Sequence, residues 1–95
     1  MKEIKTELEQ NIDKIIEESR KVSDTFTLET TKLIKTALIN NKHSEKPISE
    51  IEVLRKMAKE REKAITIYKK ANRDDLALKE TKELNYIKEM IPKNL

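Results

Sequence analysis

Four basic side chains recur at a spacing that would place them along one side of a helix. They follow one another at intervals of four, four and seven residues, as Arg55, Lys59, Lys63 and Lys70. At 3.6 residues per turn these intervals keep all four on one face, where each cation could hold one phosphate of a polyanion. We call these four residues the basic stripe. With Arg73 they are the candidate nucleic-acid-binding residues. The alternative is a solubilising helix face on which carboxylates such as Glu52 pair with neighbouring cations.

The other polar residues do not form a recognisable catalytic or metal-binding pattern. General acid–base catalysis needs two carboxylates in a cleft with separated pKa values. Pairs such as Asp74 and Asp75 are instead expected on solvated faces and in first helical turns. His43 has neither a cysteine nor a second histidine to complete a metal site. The sequence therefore predicts a non-catalytic protein without a metal or other cofactor.

The composition favours long amphipathic helices. Charged residues make up 41% of the 95-residue chain, hydrophobic residues 36%, and glycine is absent. Only three aromatics are present, which argues against a stacking platform for single-stranded nucleic acid. Apolar runs are too short for a membrane helix, and the lack of cysteine leads us to expect an intracellular, cytoplasmic setting.

The net charge of +3 is concentrated in one segment. Residues 48–72 hold seven basic and four acidic side chains, so this predicted helix alone carries +3. That charge permits a polyanion partner without requiring one.

Apolar spacing predicts four helices. They run from about Lys2 to Val22, from about Phe26 to Asn41, from the cap at Ser49 to about Ala71, and from Asp74 to about Ile91. Ser49 and Glu52 are predicted to form a capping box. Asn72 tolerates the left-handed conformation that ends a helix, and it could also cap the next one. Because the last connection is short, the last two helices should form an antiparallel hairpin in an all-α single domain covering residues 1–95.

Periodicity also selects a core face on each helix. The members expected to share that face on the second helix are Phe26, Thr30, Leu33, Ile34, Ala37 and Leu38. On the third they are Leu54, Met57, Ala58, Ile65, Tyr68 and Ala71. Arg61 lies at the edge of the latter face. It could be a packed arginine with a carboxylate partner, a ligand anchor or a snorkelling side chain.

An ordered set of residues in the last part of the chain carries a family resemblance. The set is Lys59-x-Arg61, Tyr68, Lys70-Ala71-Asn72-Arg73, Asp75-Leu76-Ala77 and Ile91-Pro92-Lys93-Asn94-Leu95. In this order it resembles the YqeY family, small proteins that share a domain with the B subunit of the tRNA-dependent amidotransferase. The resemblance is strongest over residues 53–95. Asn72 replaces a glycine of the family pattern, and both residues tolerate the left-handed conformation.

The resemblance implies an α-helical N-terminal domain that acts as a tRNA- or RNA-associated accessory module. It implies no catalysis, because the amidotransferase active site lies in other domains. Family members usually continue into a smaller second helical domain, which we expect to be absent after Leu95. The alternative function is a protein-interaction or self-associating helical module. An exposed apolar strip of Ile12, Ile15 and Ile16 on the first helix would favour that alternative.

Overall fold

The structure, a computed structural model, describes residues 4–92, and these contain four helices and no strand. The helices are α1 (Glu7–Lys21), α2 (Thr25–Lys42), α3 (Glu50–Lys70) and α4 (Asp74–Met90). The predicted all-α fold of four helices is confirmed. The chain divides into two compact units, residues 1–44 and residues 45–95, and each unit pairs two consecutive helices.

Helix α1 begins later than predicted. Its N-cap is Thr6, whose hydroxyl accepts a hydrogen bond from the amide of Glu9 at 3.1 Å. The Glu9 carboxylate in turn accepts from the Thr6 amide at 3.4 Å, which completes a capping box. Lys2 itself lies outside the described residues, but residues 4–6 are not helical, so a start near Lys2 is too early. The Thr-x-x-Glu spacing at residues 6–9 is the signal that would have located the start.

The turn between α1 and α2 and the turn between α3 and α4 each contain a left-handed residue that is not glycine. Ser23 and Asn72 each have a φ of 57°. After α3, the Arg73 amide donates to the carbonyl of Tyr68 at 2.8 Å, which is the long bond of a Schellman motif. The left-handed conformation predicted for Asn72 is confirmed. Its predicted capping role is wrong, because the N-cap of α4 is Arg73.

The core of the first unit contains both apolar and small polar residues. Its buried members are Ile12, Ile16, Ser19, Thr30, Thr31, Ile34 and Leu38. Phe26 and Leu33, both predicted for the core face, are 39% and 49% exposed. Thr30 is buried as predicted, but Thr31, which was not predicted for the core face, is buried as well, and its burial explains this error. The buried face of α2 is centred between these threonines, which places Phe26 and Leu33 about a quarter-turn or more away from it.

The second unit is the predicted hairpin of α3 and α4. Its buried apolar residues are Val53, Leu54, Met57, Ala58, Ala77, Leu84 and Ile87. Ile65 and Tyr68 are half-buried, while Ala71 is exposed and lies at the end of α3, so its predicted core position is wrong. Three residues connect the helices, which forces them to run antiparallel. No helix within residues 4–92 is long and apolar enough to cross a bilayer.

Candidate nucleic-acid interface

Helix α3 positions the whole basic stripe. Ser49 caps this helix by accepting a hydrogen bond from the Glu52 amide at 3.2 Å. The 21 residues of α3 then keep the helical register from Arg55 to Lys70. At 1.5 Å and about 100° per residue, the stripe extends about 22 Å within a sector of about 80°. This sector lies opposite the face that carries Leu54 and Met57, so all four side chains are exposed.

The stripe cations are not neutralised by neighbouring carboxylates. In the part of the chain that the structure describes, none of the four lies within 4.0 Å of an acidic oxygen. The pairing of Glu52 with Arg55 or Lys56, expected for a purely solubilising face, is not among these ion pairs. By contrast, Lys35 in the first unit lies 2.8 Å from Asp13. The stripe therefore presents four positive charges along one line, none of them in a direct ion pair among the described residues, with the carboxylate of Glu52 beside its first members.

Arg73 differs from the stripe residues. Its guanidinium donates to both carboxylate oxygens of Asp75, from Nε at 3.3 Å and from Nη2 at 3.2 Å. This bidentate contact lowers the pKa of Asp75 and raises the pKa of Arg73. Arg73 is exposed, but its charge is offset within the turn that it caps.

Arg61 is a packed arginine with a carboxylate partner. Its Nη2 lies 3.5 Å from Oε1 of Glu83 on α4, and its Nη1 donates to the carbonyl of Met57 at 3.4 Å. The two charged side chains are only 14% and 10% exposed. This geometry matches the interpretation of Arg61 as a packed arginine, and not as a ligand anchor or a snorkelling side chain. Glu83 was not among the predicted site residues, although its position four residues before the buried Ile87 places it on the core face of α4.

The remaining family-motif residues mainly build the hairpin. Tyr68 and Leu76 are half-buried on the two sides of the turn. Ala71 is the C-cap of α3, and Asn72 supplies the left-handed residue that follows it. Pro92 follows the end of α4, while Lys93, Asn94 and Leu95 lie outside the described residues.

A cavity in the first unit and a groove in the second unit lie away from the hairpin turn. In the first unit, a cavity of about 190 Å³ is lined by Lys5, Glu9, Ile12, Asp13, Lys35, Leu38 and Ile39. Its carboxylates are already engaged, because Lys5 and Lys35 bind Asp13 and Lys42 binds Glu9. In the second unit, a groove of about 340 Å³ adjoins the start of the stripe. Within residues 4–92, no three acidic or histidine side chains are grouped as a metal site.

Comparison with known proteins identifies the family. No curated protein matches the chain. The family model described as YqeY, Yqey-like protein, matches residues 5–95, which is almost the whole chain. The protein therefore belongs to the YqeY-like family.

Proposed function

We propose that this protein is a non-catalytic, cytoplasmic accessory module that binds tRNA or another RNA through the basic stripe of α3. The observation that carries the proposal is the set of four exposed cations, none of them in a direct ion pair among the described residues, along about 22 Å of one helix face. The relationship of the family to the amidotransferase B subunit supports tRNA as the RNA to test first.

Contacts of this kind recognise the shape and charge of an RNA backbone. Arginine and lysine side chains neutralise phosphates, and phosphate contacts alone carry no base sequence. The exposed face of α3 carries no aromatic side chain on which bases could stack, since Tyr68 is half-buried on the core side. We therefore expect binding that depends strongly on salt and weakly on sequence.

The number of phosphate contacts predicts how steeply the RNA affinity should fall with salt concentration. Each neutralised phosphate contributes about −0.9 to the slope of log affinity against log salt for B-form DNA; with the same coefficient for an RNA duplex, four contacts give about −3.6. Raising salt from about 50 mM to about 200 mM should then weaken binding about 150-fold. If Arg55, Lys59 and Lys63 are replaced by alanine, one contact remains and the same change should cost only about 3.5-fold.

The experiment is a tRNA titration by fluorescence anisotropy at both salt concentrations. The matched control replaces Lys14, Lys79 and Lys82 by alanine, which removes the same charge from exposed positions outside the stripe. We expect this control to retain most of the affinity at low salt and the steep slope. Equal losses in the two triple variants would refute a localised site, and no binding of wild type at low salt would refute RNA binding altogether.

A protein-interaction function is the second candidate. The strip that would have favoured it is not exposed, since Ile12 and Ile16 are buried and Ile15 is half-buried. A different observation favours it instead: Phe26 and Leu33, two turns apart on α2, are substantially exposed. If this face mediates self-association, light scattering should find an oligomer that Leu33→Ser converts to a monomer. A monomeric wild-type protein at high concentration would exclude self-association.

A further inference from the structure

The groove at the start of the basic stripe contains more than phosphate-binding groups. Its lining consists of Ile48, Glu52, Arg55, Lys56 and Lys59. Two stripe cations, Arg55 and Lys59, thus share a concave surface with a half-buried isoleucine and a carboxylate. A volume of about 340 Å³ is at the small end of the range for ligand pockets, and a single nucleotide is a ligand of suitable size.

Glu52 is the residue that a purely phosphate-binding surface does not explain. The predicted capping box is only half formed: the Ser49 hydroxyl accepts from the Glu52 amide, and no bond from the Ser49 amide to the Glu52 carboxylate accompanies it. Within the described residues this carboxylate also lies in no ion pair. A free carboxylate within the angular sector of the stripe repels phosphates, so it opposes a ligand that offers phosphates alone.

A nucleobase could contact both groups that phosphates do not bind, the apolar side chain of Ile48 and the carboxylate of Glu52. The flat face of a base can cover Ile48 and the aliphatic part of Arg55, which removes apolar surface from water. The N–H groups on a base edge can donate to the Glu52 carboxylate, as the cytosine amino group does to acidic side chains. Such contact is open only to an unpaired base, because a continuous RNA duplex keeps its bases stacked and its deep groove closed to side chains.

Extending the proposed RNA-binding function, we propose that the groove takes one unpaired nucleotide of the bound RNA. Arg55 and Lys59 hold its phosphate, Ile48 covers the base, and Glu52 accepts from the base edge. Lys63 and Lys70 then hold the adjoining backbone. The preferred ligand is an RNA in which a duplex meets an unpaired base that carries an amino group.

Three hairpin RNAs test this inference by fluorescence anisotropy at low salt. The first is blunt-ended, the second carries one unpaired cytidine at either its 3′ or its 5′ end, and the third carries an abasic nucleotide there. The second and third have equal phosphate counts, so their ratio isolates the base. We expect wild-type protein to bind the better cytidine-extended hairpin about fivefold more tightly than its abasic counterpart, which is the size of the net gain from one hydrogen bond.

Substitutions in the groove test whether its side chains cause the preference for the cytidine-extended hairpin. Ile48→Ser should abolish the fivefold ratio, whereas Ile48→Val keeps an apolar floor and should retain it; circular dichroism checks that both variants fold. Glu52→Ala should tighten binding of the blunt hairpin, because repulsion is removed, and should reduce the cytidine preference. Equal binding of cytidine-extended and abasic hairpins by wild type would overturn this inference and leave the proposed function standing. Failure of all three hairpins to bind would overturn both.

Discussion

The ion pair between Arg61 and Glu83 provides the sharpest test of how the second unit is held together. Glu83→Met keeps the volume of the side chain but leaves the arginine charge without its main partner in a site where only 14% of that side chain is exposed. Removing one partner of a fully buried pair costs about 3–5 kcal/mol. The cost here should be lower, about 2–3 kcal/mol, because there is one contact at 3.5 Å and Arg61 also donates to Met57.

Tyrosine fluorescence can follow this change in the second unit alone. Tyr68 and Tyr86 are the only tyrosines, both belong to residues 45–95, and the chain has no tryptophan. Urea unfolding monitored by this signal should therefore report the α3–α4 hairpin without interference from the first unit. Urea is preferable to guanidinium, since it adds no ions that would screen the pair.

Glu60→Met is the control, because Glu60 lies as far from Arg61 as Glu83 does but is much more exposed. Glu60 also lies 3.5 Å from Arg61, but its side chain is 70% exposed. Exposed pairs contribute little, so we expect a loss below about 0.5 kcal/mol. The double variant Arg61→Met, Glu83→Met removes both charges and should return to within about 1 kcal/mol of wild type. A Glu83→Met loss no larger than that of Glu60→Met would refute the argument from burial.

Two further predictions concern the left-handed residues of the two turns and the carboxylate of Asp13 in the first unit. Ser23→Gly should raise the free energy of unfolding by up to about 1 kcal/mol and Asn72→Gly by less, because both residues have a φ of 57° and asparagine tolerates this angle better than serine. The midpoints of urea unfolding measure both changes. A lower free energy of unfolding in either variant would contradict the turn geometry. Hydrogen bonds from Lys35 and Lys5 hold the pKa of Asp13 below its ordinary 3.8. The folded pKa is depressed, so this contribution is complete above about pH 3.8 and is lost as pH falls through the lower folded value. Asp13→Asn should be less stable than wild type near neutral pH, with a gap that closes in acid; a gap independent of pH would disprove this linkage.

Local signals in the sequence predicted most of the fold correctly. The hydroxyl cap at Ser49 and the left-handed Asn72 each depend on contacts between residues a few positions apart, and both are confirmed. The errors arose where tertiary packing decides the outcome. Periodicity favoured the large apolar Phe26 and Leu33 for the core together with Thr30, whereas the structure exposes Phe26 and Leu33 and buries Thr31 beside Thr30.

The candidate site shows the same division. The spacing of Arg55, Lys59 and Lys63 requires only that α3 be helical, so the sequence placed these residues on one face correctly. Glu83 and the local pairing of Arg73 depend on which side chains meet in three dimensions. The motif alone could not separate an arginine that stabilises the hairpin from one exposed to a ligand.

This division also separates the family-motif residues into two sets with different roles. Arg61, Asn72 and Arg73 have partners or conformations that build the hairpin, so replacing them should change stability before it changes binding. Lys59 and Lys70 are exposed and have no acidic partner among the described residues, so they contribute little to folding. The proposed function uses these charges instead. Binding of a polyanion is a physical reason that accounts for both their charge and their alignment.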